Sequence, residues 1–151
     1  MKKITAADLT SLGQQASQSP RFRANTNLHT DLGDPVQRLA IAMEPDTLIL
    51  PHRHPHTWEV LTALRGRFTV LLFNQDGTVI ERLELGEDTR VVEIPVGGWH
   101  AVLSRDDGAV IFEVKHGPYF PVPEVDVAAW SKGRSAELNA WYAVAQAGDR
   151  L

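Results

Sequence analysis

His52, His54, Glu59 and His100 are the residues of this chain best suited to chemistry, because three imidazoles and one carboxylate at these spacings can converge on a single divalent metal ion. One run reads Pro51-His52-Arg53-His54-Pro55-His56-Thr57-Trp58-Glu59, with Gly66 following, and a second, Pro95-Val96-Gly97-Gly98-Trp99-His100, comes much later. Side chains on a strand alternate faces, so His52 and His54, two residues apart, project from one side. Glu59 follows a bend at Pro55 and opens the apolar run Val60-Leu61-Thr62-Ala63-Leu64, which places its carboxylate at the start of a strand. Pro95 and Gly97 are turn residues able to aim a strand beginning near His100 back to the same spot. Neutral imidazole and carboxylate suit Zn, Fe, Mn, Ni or Cu, and the absence of cysteine excludes a thiolate site. Each piece alone has an ordinary explanation, as a solvated edge, an exposed strand glutamate or a simple turn. Their combination points to one metal ion per chain.

These residues resemble the two motifs of the cupin superfamily. His52, His54, Glu59 and Gly66 match the first motif without a gap, and Pro95, Gly97 and His100 match the second. The chain departs from the pattern at Asp46, Thr89 and Ser104, where the motifs carry Gly, Gly and Asn. The resemblance implies a mainly β fold, the cupin-type double-stranded β-helix or jelly-roll barrel, with His52, His54, Glu59 and His100 as metal ligands. Three flanking stretches, Ser19-Pro20-Arg21-Phe22-Arg23-Ala24-Asn25, Asp34-Pro35-Val36-Gln37-Arg38-Leu39 and Glu113-Val114-Lys115-His116-Gly117-Pro118-Tyr119, are similar to the WbuC family of cupin-fold metalloproteins. That family is associated with bacterial surface-polysaccharide gene clusters. The likeness implies a carbohydrate-like ligand without supplying a reaction.

The elements that must position these residues are legible as many short strands. Val36 to Met43, Thr47 to Leu50, Trp58 to Leu64, Phe68 to Phe73, Thr78 to Leu85, Thr89 to Ile94, Trp99 to Leu103 and Ala109 to Lys115 read as strands separated by turn signals such as Asn74-Gln75-Asp76-Gly77. This pitch predicts a barrel or sandwich, whose closure removes exposed edges. Thr5, with Asp8 three residues on, predicts a capped helix through Ala16, ended by Ser19-Pro20. Ser135 is the expected cap of a C-terminal helix with Leu138, Trp141, Tyr142 and Ala145 on one side. The organisation expected is a helix and extended arm over 1–35, a barrel over 36–122 and a helical extension over 123–151, within one structural domain. Val70-Leu71-Leu72-Phe73 and Val91-Val92-Glu93-Ile94 are apolar on both faces, so a second covering surface is expected, from the terminal segments or from a partner in a homodimer.

Before the first barrel strand, Arg21, Arg23, Asn25, Asn27 and His29 alternate with Phe22, Ala24, Thr26 and Leu28. If extended, this segment gathers guanidinium, amide and imidazole groups on one face, suited to an anionic or sugar-like small molecule. The competing reading is a solvated edge strand. Arg38 and Tyr119 are further candidates to reach the ligand, and His56 is a candidate proton carrier beside the metal. At 151 residues and a formal charge of −4, the chain has room for one domain with a core, and its scattered Lys and Arg offer no basic field for nucleic acid. No apolar run reaches membrane-spanning length and no secretory h-region is present, so a cytoplasmic location is expected. The activities considered are sugar or nucleotide-sugar isomerisation or epimerisation, metal-dependent dioxygenation, and non-catalytic binding of a metabolite.

Overall fold

The first helix, α1 (Ala6–Gln18), starts at the predicted cap. Thr5 Oγ1 accepts from the Asp8 N–H at 3.3 Å and the Asp8 carboxylate accepts from the Thr5 N–H at 2.7 Å, satisfying two donors that a helix start leaves unpaired. Its buried face, Leu12 and Ala16, packs on Ala40, Ala42 and Val110, whose small or compact side chains let the helix lie close on the sheet.

A computed structural model describes residues 1–151 as two antiparallel sheets followed by a helical tail. The strands are β1 (Arg23–Asn27), β2 (Val36–Met43), β3 (Glu59–Arg65), β4 (Phe68–Phe73), β5 (Val79–Leu85), β6 (Val91–Ile94), β7 (Trp99–Ser104) and β8 (Ala109–His116). One sheet has the order β1-β2-β8-β3-β6 and the other β5-β4-β7. The last strand lies between β2 and β3, a crossing expected of a jelly roll. Between the sheets sits a core of Met43, Leu61, Phe68, Val70, Leu85, Ile94, Val102 and Ile111. After β8 come two single 3₁₀ turns, Glu124–Asp126 and Ala129–Ser131, and then α2 (Ser135–Tyr142).

The second face of β4 is covered from within the chain. Leu71 and Phe73 point away from the barrel and pack with Ala101 and Leu103 of β7 beneath Leu138, Tyr142 and Ala145. This cover makes no call on a partner subunit. On β6, Val92 and Ile94 join the core whereas Val91 stays 56% exposed, so that strand is apolar outward without being covered.

Two sequence expectations fail here for stated reasons. Thr47 to Leu50 form no strand, because carbonyls of this run serve other groups: Thr47 O accepts from Asn139 Nδ2 and Ile49 O from the Tyr142 hydroxyl at 3.0 Å, both in the tail, while Leu50 O faces His52 Nδ1. Ser135 is the first residue of α2 and not its cap; Arg134 takes the cap position, with no side-chain cap bond, after a turn in which Gly133 has φ +76°. Ser104, where the cupin motif carries Asn, is buried with its hydroxyl oxygen 3.0 Å from Met43 O and 2.9 Å from Asp106 O, so it still fastens the end of β7.

Leu138 is fully buried under the outer face of β4 and β7. Leu138→Ala is therefore expected to cost about 2–5 kcal/mol in urea unfolding. A loss below about 0.5 kcal/mol would mean that the tail does not belong to the cooperative fold.

Candidate metal centre

Backbone pairing brings the two motif runs together. His52 N–H donates to His100 O at 3.0 Å and His100 N–H donates to His52 O at 2.9 Å, so His52, outside the regular strands, forms a reciprocal antiparallel bridge with His100 of β7. Gly97 N–H donates to His54 O at 3.0 Å, in a turn where Gly97 has φ +74°, a conformation that favours glycine. The other side is held by the tail, where Ala128 N–H donates to Pro51 O at 2.8 Å and Arg53 N–H donates to Asp126 O at 3.0 Å. Arg53 adds a 2.9 Å ion pair with Asp126 and lies over the Trp99 ring at 4.7 Å. Glu59 arrives separately, as the first residue of β3, paired on one side with Lys115 and on the other with Ile94.

The result is a cluster in which one ring nitrogen from each of His52, His54 and His100 lies within 4.8 Å of the others. His100 Nε2 is 3.1 Å from Glu59 Oε2, and His54 Nε2 is 3.6 Å from Glu59 Oε1. Protonation is set from behind. His52 Nδ1 is 2.9 Å from Leu50 O and His100 Nδ1 is 3.0 Å from Gly98 O; a carbonyl can only accept, so each Nδ1 carries the proton and each Nε2 presents a lone pair inward. His54 Nε2 faces the Lys115 ammonium at 3.4 Å, a donor, and is likewise a lone pair. His100 Nε2 is buried without a hydrogen-bond partner, its approach to Glu59 lying outside hydrogen-bond geometry. Several acceptors crowded together, with the Lys115 ammonium reaching only His54 and Glu59, fit a bound cation, and the N and O donor set fits a divalent transition metal.

The electrostatics agree. Burial pushes the His52 imidazole down to about 3, and burial, followed by Lys115, pushes His54 down to about 4. Both rings are neutral at physiological pH. Burial alone would raise the Glu59 carboxyl, but the neighbours that favour its ionised form, the Lys115 ammonium donating to it among them, outweigh burial and hold it well below the usual range. Lys115 Nζ donates to Glu59 Oε1 at 2.9 Å and pairs with Glu113 Oε1 at 2.9 Å. Burial pulls this amine down, and the two carboxylates more than compensate, keeping it protonated. Glu113 is pushed up to about 7 by burial and by the neighbouring Glu59 charge.

These groups open into a cavity of about 370 Å³ between the sheets. Arg21, Arg23, Asn25, Asn27 and Tyr119 line it, and it belongs to the chain's own barrel, so the arm borders its own cavity. Two candidates are elsewhere. Arg38 turns outward to a 2.7 Å ion pair with Asp34, and His56 is exposed in the turn after Pro55, its ring 6.4 Å from that of His54. The sequence reading missed Glu113 and left Lys115 undistinguished from surface groups. The signal was present in Glu113-Val114-Lys115: two charges at period two in an apolar strand, on the face that Ile111 shares with the core. A larger, more open depression of about 610 Å³ beside Trp99, Val125 and Trp130 holds no cluster of metal-ligating side chains.

Comparison with solved structures places the fold in the cupin class. The chain is similar to oxalate oxidase in complex with the substrate analogue glycolate (TM-score 0.56, 17% identity, covering 72% of this chain and 58% of that one), so it spans little more than half of that enzyme's length. It is also similar to KdgF from Halomonas sp. (0.51, 12%, covering 68% and 84%) and to a cupin superfamily protein from Desulfitobacterium hafniense DCB-2 (0.50, 12%, covering 62% and 76%). No curated protein matches. Residues 4–85, more than half of the chain, match the family described as "Domain of unknown function (DUF6016)", and the chain belongs to that family. No helix is long and apolar enough to cross a membrane.

The depressed histidines carry a pH signature. In the unfolded chain His52 and His54 take up protons below about pH 6.5, whereas in the fold they do so only near 3 and 4. The unfolded state binds more protons in that window, so their contribution to stability is complete above about pH 6.5 and is lost as pH falls towards 4 and 3. Urea unfolding of chelator-treated protein should show a steeper loss between pH 6.5 and 4 for wild type than for His52→Gln/His54→Gln. Parallel pH profiles would contradict the assignment of neutral buried rings.

Proposed function

We propose that the protein is a metal-dependent cupin that binds a small, oxygen-rich molecule at a single divalent ion held by His52, His54, His100 and Glu59. The observation that carries this reading is the convergence of three imidazole lone pairs, two of them fixed from behind by backbone carbonyls, on one side of a buried carboxylate. When bound, a divalent ion there supplies Lewis acidity towards a carbonyl or hydroxyl oxygen. The chain's own residues account for the rest. Leu39, Ile41, Leu61, Val102 and Ile111 line the cavity and limit water around the site. Lys115, beside Glu59 and lining the same space, offers a hydrogen bond and a positive charge to a ligand oxygen, with Glu113 as its buried partner. His56 is too far out in its turn to share that work directly.

The substrate reading is a sugar or nucleotide sugar, isomerised or epimerised in surface-polysaccharide metabolism. It rests on the WbuC-like sequence stretches, and the cavity volume is that of a metabolite site.

Elemental analysis of protein purified without a tag should find about one divalent metal per chain. His54→Ala and His100→Ala should each lose most of it after mild chelation, with circular dichroism unchanged. Equal, near-stoichiometric metal in wild type and His54→Ala would overturn the ligand assignment. In a screen of keto-sugars and nucleotide sugars, product formation that stops on chelation supports catalysis. Saturable, metal-dependent binding without product assigns a binding module instead.

A further inference from the structure

The polar stripe of the N-terminal arm faces the cavity, and the strand register fixes this. Arg23 pairs with Met43, Asn25 with Ile41 and Asn27 with Leu39. Directly opposed residues in an antiparallel pair point to the same face, and Leu39, Ile41 and Met43 all line the cavity. Ala24, on the alternate face, packs towards α1.

Three features set this stripe apart. The guanidinium groups of Arg21 and Arg23 make no side-chain hydrogen bond and no ion pair within the chain, although almost every other arginine does. Between them, Phe22 has φ +54°, a left-handed conformation costly for a bulky residue. It is held there by its N–H donating to Ser19 O and by its carbonyl accepting from Glu44 N–H and the Thr47 hydroxyl. Third, His29 lines the same cavity and is only 5% exposed, yet its Nε2 has no partner. His29 Nδ1 lies 2.9 Å from Arg38 N and 3.1 Å from Arg38 O, so backbone holds that side of the ring and leaves Nε2 as a buried polar atom aimed away from it without a partner.

The stripe therefore presents two unpaired cations and an unpartnered ring nitrogen to one space. Lys115 is matched by Glu59 and Glu113 deeper in the cavity, so the unpaired positive charge of this space lies on the two arginines, in a chain whose formal charge is −4. Strained backbone is kept where the surrounding structure holds it for a purpose, and pairs of guanidinium forks match the geometry of an oxyanion.

We infer that Arg21 and Arg23, with the unpartnered His29 ring nitrogen beside them, form an oxyanion subsite that takes the carboxylate or phosphate group of the cavity's ligand. This names the charge class of the molecule in the function proposed above, and it rests on that reading only for the ligand's other end, at the histidine cluster.

The test is calorimetric titration of the full-length, tag-free protein with inorganic phosphate and, separately, with glycolate, at fixed moderate ionic strength, before and after chelation. At least one probe should bind wild type saturably in both metal states. Arg21→Gln/Arg23→Gln should weaken that binding at least tenfold while metal content and circular dichroism stay unchanged; Arg23→Lys, which keeps the charge, should lose less. Which probe binds more tightly assigns phosphate or carboxylate. Isotherms within about twofold of each other, no saturable binding of either probe, or binding that requires the metal and ignores the arginines would each overturn the subsite. Tag-free protein that is purified without metal and takes up none on addition, but whose phosphate binding still depends on the arginines, would refute the metal reading alone.

Discussion

Lone pairs aimed at one another in a space with little water repel, and this repulsion is the constraint around which the rest of the molecule is arranged. His52 and His100 have their Nδ1 protons committed to Leu50 O and Gly98 O, so neither ring can turn its proton inward without leaving a backbone carbonyl unpaired. The Glu59 carboxylate enters the same volume 3.1 Å from His100 Nε2. A cation relieves the crowding. In the chain alone the Lys115 ammonium does part of this, reaching both Glu59 and His54. A divalent ion, which can accept from several lone pairs at once, does all of it.

The fold serves this by fixing backbone before side chains. The reciprocal bridge between His52 and His100 joins residues far apart in sequence, and the tail locks its outer edge through Pro51 and Arg53. Each sheet also has an outer apolar area covered by the chain itself, the five-stranded sheet by α1 and the three-stranded sheet by α2. Covering those faces leaves the concave interior as the place where polar groups from β1, β3, β7 and β8 meet. Polar groups are costly to bury without partners, so their persistence there is most simply explained by a ligand that supplies the partners.

Most of the barrel was legible because strand periodicity and turn residues agree with the final structure. β2 and β4 begin and end where alternation predicts, and the other barrel strands differ by one or two residues at their ends. Thr47 to Leu50 misled because a β-rich run carries no mark of who will take its hydrogen bonds; here Asn139 and Tyr142, over ninety residues on, take them. The histidine cluster was legible from spacing. Its electrostatic surroundings were not, since the placement of Glu113 and Lys115 beside Glu59 depends on β8 pairing with β3, a long-range register that local pattern does not encode. Arg38 and Arg23 looked alike in sequence. Strand register and the nearby Asp34 send one outward, and the cavity receives the other.

The most direct test of the central claim is anomalous diffraction from crystals of tag-free protein loaded with a single transition metal, collected above and below its absorption edge. The account predicts one strong anomalous peak per chain, within about 2.0–2.2 Å of His52, His54 and His100 Nε2 and of a Glu59 carboxylate oxygen, with Lys115 drawn back from Glu59. A peak elsewhere on the molecule, or an unchanged Glu59–Lys115 pair with no metal among the three histidines, would contradict it.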